Sequence, residues 1–390
     1  MDTLALKADI KNHLETKILP FWEKLLDVRG GYYGYVDFDL NIHRDAVKGC
    51  ILNSRILWFF SNGAMTLKDD RLLAYADHAY EFLTQCCLDG EYGGIYWSVT
   101  CDGHAADRMK HTYNQAFAIY ALASYYDAAK EPRALALARE LYRLIEEKCR
   151  DDRGYLEAFD QSFEPMANEK LSENGVLAEK TMNTLLHVFE AYTELYRVTG
   201  DPQVAQSLRW IMDIFAQKVY NSQKKRQEVF FDADWNSLID IHSYGHDIES
   251  AWLIDRGCEL LGDPGLTSRM GVITRALTQQ VYEKAFRGGS LLNECVNGVD
   301  DPTRIWWGQA EALVGFINGY QKTPEHGEYM EAAGRLWDYI RTRLVDPREG
   351  SEWFWELDAE GCPSVRKPLV EPWKCPYHNG RMCFEVIRRL

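Results

Sequence analysis

Basic charge is scarce in these 390 residues: 44 Lys and Arg stand against 59 Asp and Glu, a formal net charge of -15. Phosphate-rich surfaces are bound by clustered Lys and Arg, so nucleic acid and anionic membrane are excluded as partners. No run approaches the roughly 18 uninterrupted apolar residues of a membrane span. Residues 1–20 mix Asp9, Lys11, His13 and Glu15 among apolar positions. A basic stretch followed by an apolar one is missing there, so no secretion signal is expected. None of the ten cysteines falls in a CxxC pair; Cys86 and Cys87 are adjacent, and most others stand alone in apolar segments. Buried, reduced thiols and a cytoplasmic location are the expectation. Walker and Rossmann glycine patterns are absent too, which removes the usual nucleotide cofactors.

What is plentiful is aromatic: 12 Trp and 22 Tyr. A short unit of Gly or a turn, alternating aromatic and apolar residues, then an acid or Asn recurs along the chain. It runs Gly30-Gly31-Tyr32-Tyr33-Gly34-Tyr35, Gly93-Gly94-Ile95-Tyr96-Trp97 and Gly154-Tyr155-Leu156-Glu157-Ala158-Phe159. It returns as Val229-Phe230-Phe231-Asp232, Gly289-Ser290-Leu291-Leu292-Asn293-Glu294 and Gly350-Ser351-Glu352-Trp353-Phe354-Trp355. Starts at Gly31, Gly94, Gly154, Val229, Gly289 and Gly350 lie 63, 60, 75, 60 and 61 residues apart. Each copy is a weak hairpin signal, but six at near-constant spacing define a repeat.

Between the copies, apolar residues at i, i+3, i+4 and i+7 predict helices over 4–26, 46–66, 70–88, 108–129, 133–148 and 174–199. The second half gives 202–220, 243–262, 265–285, 303–321, 327–345 and 376–389. Glu131-Pro132, Asp201-Pro202, Asp263-Pro264 and Thr323-Pro324 mark breaks, with Pro early in the following helix. A helix pair cannot bury its apolar face alone, so six pairs close into a ring. The fold expected is an all-α (α/α)6 barrel, residues 1–390 as one domain, with short β-hairpins at the cavity end. Even-numbered helices line the centre; Ile51, Leu52, Ile56, Leu57, Trp58, Phe59 and Phe60 leave the second almost no polar face.

The unusual side chains gather near the N-terminal ends of these inner helices. Arg55 interrupts the apolar second helix, where it either closes an internal salt bridge or turns a cation to the cavity. His187 shares helical spacing with Asn183, Glu190 and Glu194, a pattern that also suits an ordinary solvated face. His246 stands three residues before Glu249 and four after His242, the second spacing being that of two metal-binding imidazoles. Ser243 reads as the N-cap, which leaves His242 outside the helix. His378 follows Pro376 in the first turn of the last helix, as a structural histidine or as a group at the cavity mouth. A first-turn imidazole feels the positive helix end and is kept neutral. Trp307 and Trp373 suit core packing, or stacking on sugar rings at that mouth.

Several imidazoles at one carbohydrate cavity suggest proton transfer, since glycoside cleavage wants two carboxylates across the bond. Removing the C2 proton of an open-chain aldose gives an enediolate, which a cation or hydrogen-bond donors must stabilise. Histidine both takes and returns a proton near neutrality, with no metal or cofactor required.

Three motifs carry a resemblance: Asn53-Ser54-Arg55-Ile56-Leu57-Trp58-Phe59, His242-Ser243-Tyr244-Gly245-His246-Asp247-Ile248-Glu249, and Trp373-Lys374-Cys375-Pro376-Tyr377-His378-Asn379-Gly380-Arg381. They resemble the cellobiose 2-epimerases of the N-acylglucosamine 2-epimerase superfamily, and the similarity runs over essentially the whole chain. The resemblance implies an (α/α)6 barrel that converts cellobiose to glucosyl-mannose and lactose to epilactose, through ring opening and an enediolate. It implies His246 and His378 as acid and base, Glu249 as the group that orients and charge-balances the site, and Arg55 and His187 on the C1 and C2 oxygens. Tyr113 and Asn183 would touch substrate, while Trp307 and Trp373 would be platforms for the reducing and non-reducing sugars. A disaccharide as the only partner and a monomeric chain complete the expectation. Two other readings stand beside it: a superfamily member acting on mannose or an N-acylglucosamine, and an (α/α)6 glycoside hydrolase using Glu249 with Glu311.

Overall fold

The computed structural model describes residues 2–171 and 174–390. Among them the chain forms twelve continuous helical segments joined by short strands. The inner ones are α2 (Cys50–Leu67), α4 (Thr112–Ala129), α6 (Met182–Thr199), α8 (Tyr244–Leu261), α10 (Trp306–Lys322) and α12 (Tyr377–Arg389). Each packs on the next, and α12 returns to α2, so the six close a ring. Outside lie α1 (3–23), α3 (71–87), α5 (132–149), α7 (202–219), α9 (264–284) and α11 (327–344). The architecture is the expected (α/α)6 barrel. Among the described residues no helix is long and apolar enough to cross a membrane.

Burial explains which ring each helix joins. In α2 every residue from Cys50 to Ala64 is buried, because partners lie on all sides. In α5 the buried set is Ala134, Ala138, Leu141, Tyr142, Ile145 and Cys149, one stripe at helical spacing with a solvated face opposite. Glu131, Asp201 and Asp263 cap α5, α7 and α9 through their carboxylates, each with Pro at the helix start. Thr323-Pro324 departs from that pattern: α11 begins only at Gly327, after His326. The sixth helix also starts later than its periodicity suggests, at Met182. Lys180 and Thr181 pair as a strand with Phe231 and Phe230, and the Thr181 hydroxyl then caps the helix.

The six repeats become six tight turns after the outer helices. Leu26 pairs with Tyr32, Leu88 with Ile95, Arg150 with Tyr155, Tyr220 with Gln227, Phe286 with Leu291, and Val345 with Trp353. The fourth copy therefore sits at Gln227, slightly before the Val229 segment, because that turn carries neither the glycine nor the aromatic of the others. An inner-helix side chain clamps four of the turns. Asn53, Gln115, Asp247 and Gln309, each fourth in its helix, accept from the backbone N–H of Tyr32, Ile95, Gln227 and Leu291 at 3.0, 2.6, 3.1 and 2.8 Å. Gly31 has to be glycine here. Its φ is +63°, and a Cβ would meet Asn53 Oδ1 at 2.6 Å.

A second repeated contact lies beneath these turns. Lys48, Lys110 and Lys180 each stand two residues before an inner helix and are buried. Their Nζ atoms reach Asp27, Asp89 and Asp151 at 2.8, 2.8 and 2.7 Å. A buried ammonium is tolerable because each is paired. Chain reversals at the opposite end are short, as in Gly200-Asp201 and Gly262-Asp263. The longer segments all gather at the N-terminal ends of the inner helices, and they wall the mouth of the barrel.

Candidate active site

A cavity of about 670 Å³ opens at that mouth, within the range of roughly 300–1,000 Å³ usual for small-molecule sites. Arg55, Tyr113, Asn183, His187, His246, Glu249, Trp307, Trp373 and His378 all line it. They come from α2, α4, α6, α8, α10, α12 and the segment before α12, so only the closed ring brings them together.

Trp307 organises the two histidines. Its ring lies 4.6 Å from that of His246 and 5.6 Å from that of His378, centre to centre. His378 Nδ1 is 2.8 Å from Glu311 Oε1, and His246 Nδ1 is 2.7 Å from Ser243 Oγ. Among the described residues each ring's side-chain hydrogen bond is made by Nδ1 and none by Nε2, and both residues line the cavity. Burial, with His187 nearby, pushes the His246 imidazole down to about 3. Burial and then the Arg381 and Arg55 cations hold His378 well below the usual imidazole range. Both rings are neutral at pH 7, as a proton-accepting pair requires.

Arg55 makes no salt bridge among the described residues. Its guanidinium donates to the Tyr113 hydroxyl at 2.8 Å and lies over the Phe117 and Tyr377 rings at 4.1 and 4.8 Å. Nε of this buried Arg has no partner among the described residues. Aromatic faces thus carry the cation beside the cavity.

The face shared by Asn183, His187, Glu190 and Glu194 is not solvated; the last three are buried. His187 Nδ1 meets Glu190 at 2.9 Å. Arg381 lies at the centre of a buried cluster, ion-paired to Glu190, Glu249 and Glu311. Burial alone would raise all three carboxyls. Arg381, His187 and the Tyr377 hydroxyl outweigh it at Glu190 and hold that group at about 2. Glu249, raised by burial and by Glu311, lies at about 7, and burial takes Glu311 there as well. One cation cannot fully offset three buried anions, and Glu249 and Glu311 take up the difference.

Ligand-type atoms of Glu249, Glu311 and His378 lie within 4.8 Å of one another, a spacing a cation could use. The Arg381 guanidinium already touches both carboxylates, so the positive charge there is built into the fold. His242 and His246 diverge: the first bonds Asp247 at 2.7 Å and the second Ser243. The two-imidazole spacing therefore makes no shared site.

Unsatisfied atoms point to a polyhydroxylated guest. Among the described residues Glu249 Oε2 and Asn183 Oδ1 are buried acceptors without a donor, on residues that line the cavity. Trp373 packs against Trp97 and Tyr113, each at 5.8 Å, and adds an indole to the wall. Sequence reasoning missed Arg381 and Glu190 as parts of the site. Each lies three residues beyond a histidine on its helix, and that spacing was the available signal. It missed Ser243 as the partner of His246, and Cys362 is exposed where buried thiols were expected.

Known proteins share this chain's sequence and fold. The N-acylglucosamine 2-epimerase (GlcNAc 2-epimerase) family matches residues 31–380. A cellobiose 2-epimerase of Ruminococcus albus is 48% identical over 383 residues, covering 98% of each chain. That of Dictyoglomus turgidum is 47% identical over 391 residues, covering 100% of each. A sugar epimerase from a ruminal bacterium superposes with a TM-score of 0.97 at 48% identity, over 98% of this chain and 99% of the other.

Proposed function

The chain belongs to the N-acylglucosamine 2-epimerase family and is a carbohydrate epimerase, an isomerase; from that premise we propose that it inverts C2 of the reducing-end glucose of cellobiose and related β-1,4-linked disaccharides. One observation carries the reading: two neutral imidazoles from different helices flank a single indole, Trp307, in one cavity. A hexose seated in that cavity would lie beside both imidazoles.

After ring opening, one Nε2 takes the C2 proton. The C–H electron pair becomes the C1–C2 double bond of a cis-enediolate, and the imidazole becomes imidazolium. The other histidine, also neutral at rest, relays a proton from water to the opposite face, and the first imidazolium gives its proton back to solvent, so the two transfers balance. Negative charge develops on the C1 and C2 oxygens, where the Arg55 cation and His187 would stabilise it. Glu311 and Glu190 hold the His378 and His187 rings in position. Glu249 Oε2 and Asn183 Oδ1 would accept from sugar hydroxyls, Tyr113 would contact the open chain, and Trp373 would carry the non-reducing sugar. Residues 1–390 would act as one catalytic domain.

Incubation with cellobiose in deuterated water tests this. Glucosyl-mannose carrying deuterium at C2 is expected. Free glucose would favour the glycoside hydrolase reading, and conversion of mannose but not cellobiose would favour a monosaccharide-specific enzyme.

A further inference from the structure

Ser243 occupies the N-cap of α8, the usual place for a serine that accepts from the helix N–H groups. It makes no such bond. Its hydroxyl is turned instead to His246 Nδ1 at 2.7 Å. The turn is imposed by the backbone: Ser243 is the last residue of a strand, paired with Glu294 across the sheet, and is itself buried. His378 has the same arrangement, with Nδ1 on Glu311 Oε1 at 2.8 Å and, among the described residues, no hydrogen bond by Nε2.

We propose that Ser243 is a positioning residue for epimerisation, accepting the Nδ1 proton of His246 so that the Nε2 lone pair faces the substrate carbon. The inference rests on the function proposed above for His246. An imidazole can take a carbon-bound proton only from the nitrogen without hydrogen. A proton on Nε2 would therefore idle this residue until the tautomer switched, and the oxygen that fixes Nδ1–H sets which nitrogen is free. A carboxylate fixes His378 and a hydroxyl fixes His246, so the two bases differ in what holds them. Ser243 also joins two parts of the fold, because strand pairing at residues 294–296 sets where its hydroxyl lies.

The test compares the wild-type chain with Ser243→Ala and Ser243→Thr. With cellobiose, Ser243→Ala is expected to lower kcat about 10–100-fold, as for other partners that orient functional imidazoles. KM should stay within about twofold and the unfolding midpoint should not move, since no cap is lost. Ser243→Thr keeps the hydroxyl and should restore most of kcat. Independently of turnover, long-range proton–nitrogen spectra of 15N-histidine-labelled protein report the tautomer, with His246 signals identified by their loss in His246→Gln. The Nδ1–H form is expected in the wild-type chain and a mixed or Nε2–H form in Ser243→Ala. A wild-type Nε2–H tautomer, a spectrum indifferent to Ser243→Ala, or a Ser243→Ala kcat within twofold of wild type would each overturn the assignment. Lack of cellobiose epimerisation by the wild-type chain would instead sink the proposed function, while the spectra still decide the role of Ser243.

Discussion

The Trp307 indole rests on the backbone of Gly245: a Cβ built there would meet two ring carbons at 2.5 and 2.6 Å. The glycine is required by close approach, since no positive φ is involved. It lies between Ser243 and His246 in sequence, so one helical turn of α8 both supports the imidazole and seats the indole. Gly245→Ala must displace Trp307 or the turn. We expect an overpacking cost of about 1–3 kcal/mol in chemical denaturation and a fall in kcat/KM on cellobiose of at least tenfold. Gly308, next to Trp307, is the control. A Cβ there meets nothing nearer than Leu291 at 3.8 Å, and Ala in place of helical Gly stabilises by roughly 0.5–1 kcal/mol. Gly308→Ala should therefore be neutral or stabilising, with near-normal kinetics. Equal behaviour of the two variants would refute the close-approach argument.

Arg381 neutralises carboxylates from three different inner helices, Glu190 on α6, Glu249 on α8 and Glu311 on α10. Arg381→Met would leave them facing one another without a cation. Removing one partner of a buried ionic cluster costs about 3–5 kcal/mol, and that deficit should appear in denaturant unfolding at pH 8. At pH 5.5 it should shrink, because Glu249 and Glu311 already lie near 7 and protonation removes their repulsion. A deficit unchanged by acidification would show that Arg381 stabilises by packing alone.

How far the sequence can be read depends on the distance over which a signal acts. The inner and outer rings were legible because periodicity is local: α2 is apolar on every side and α5 on one. Five of the six turns were legible through Gly and aromatic residues. The fourth escaped because Tyr220–Gln227 reaches the same geometry without them. The start of α6 was misplaced because 174–181 carries helix-compatible residues, while strand pairing with Phe230 and Phe231 decides its course. The histidines and Arg55 stood out as polar groups in apolar helices. That Glu190, Glu249 and Glu311 share one guanidinium was not legible, since their spacing of about 60 residues carries meaning only once the ring has closed.

Acidification should impair catalysis before it unfolds the chain. As pH falls through 7, Glu311 gains a proton and ceases to be a clean acceptor for His378 Nδ1–H, and kcat/KM should decline in that window. Stability feels opposed terms. The raised carboxyls, Glu157, Glu249 and Glu311, all at about 7, bind protons first in the folded state, so they favour folding as pH falls from 7 towards 4.5. The lowered imidazoles His13, His111 and His246, at about 4, 4 and 3, bind protons first in the unfolded chain. They disfavour folding as pH drops through 6.5. Between pH 7.5 and 6 the unfolding free energy should move by less than the activity loss implies. Parallel decline of unfolding midpoint and kcat/KM would contradict the Glu311 argument.

The buried lysines offer the sharpest test of the repeat. Lys110 Nζ lies 2.8 Å from Asp89, and Asp89 also accepts from the backbone N–H of Glu91 at 2.9 Å. The aspartate therefore shapes the turn as well as pairing the cation. Lys110→Met keeps the stem and removes the charge, leaving an unpaired buried carboxylate, at about 3–5 kcal/mol. Adding Asp89→Asn removes that charge while keeping an oxygen for the turn, so the double variant should be more stable than Lys110→Met alone. The same contrast should be weaker for Lys48 with Asp27, which Arg29 also pairs at 3.1 Å, and for Lys180 with Asp151, whose carboxylate is partly exposed. Midpoints in guanidinium chloride decide it. A double variant that is weaker than its lysine single would mean that the ammonium acts chiefly on backbone carbonyls, such as that of Gly93, which Lys110 Nζ also reaches at 2.8 Å.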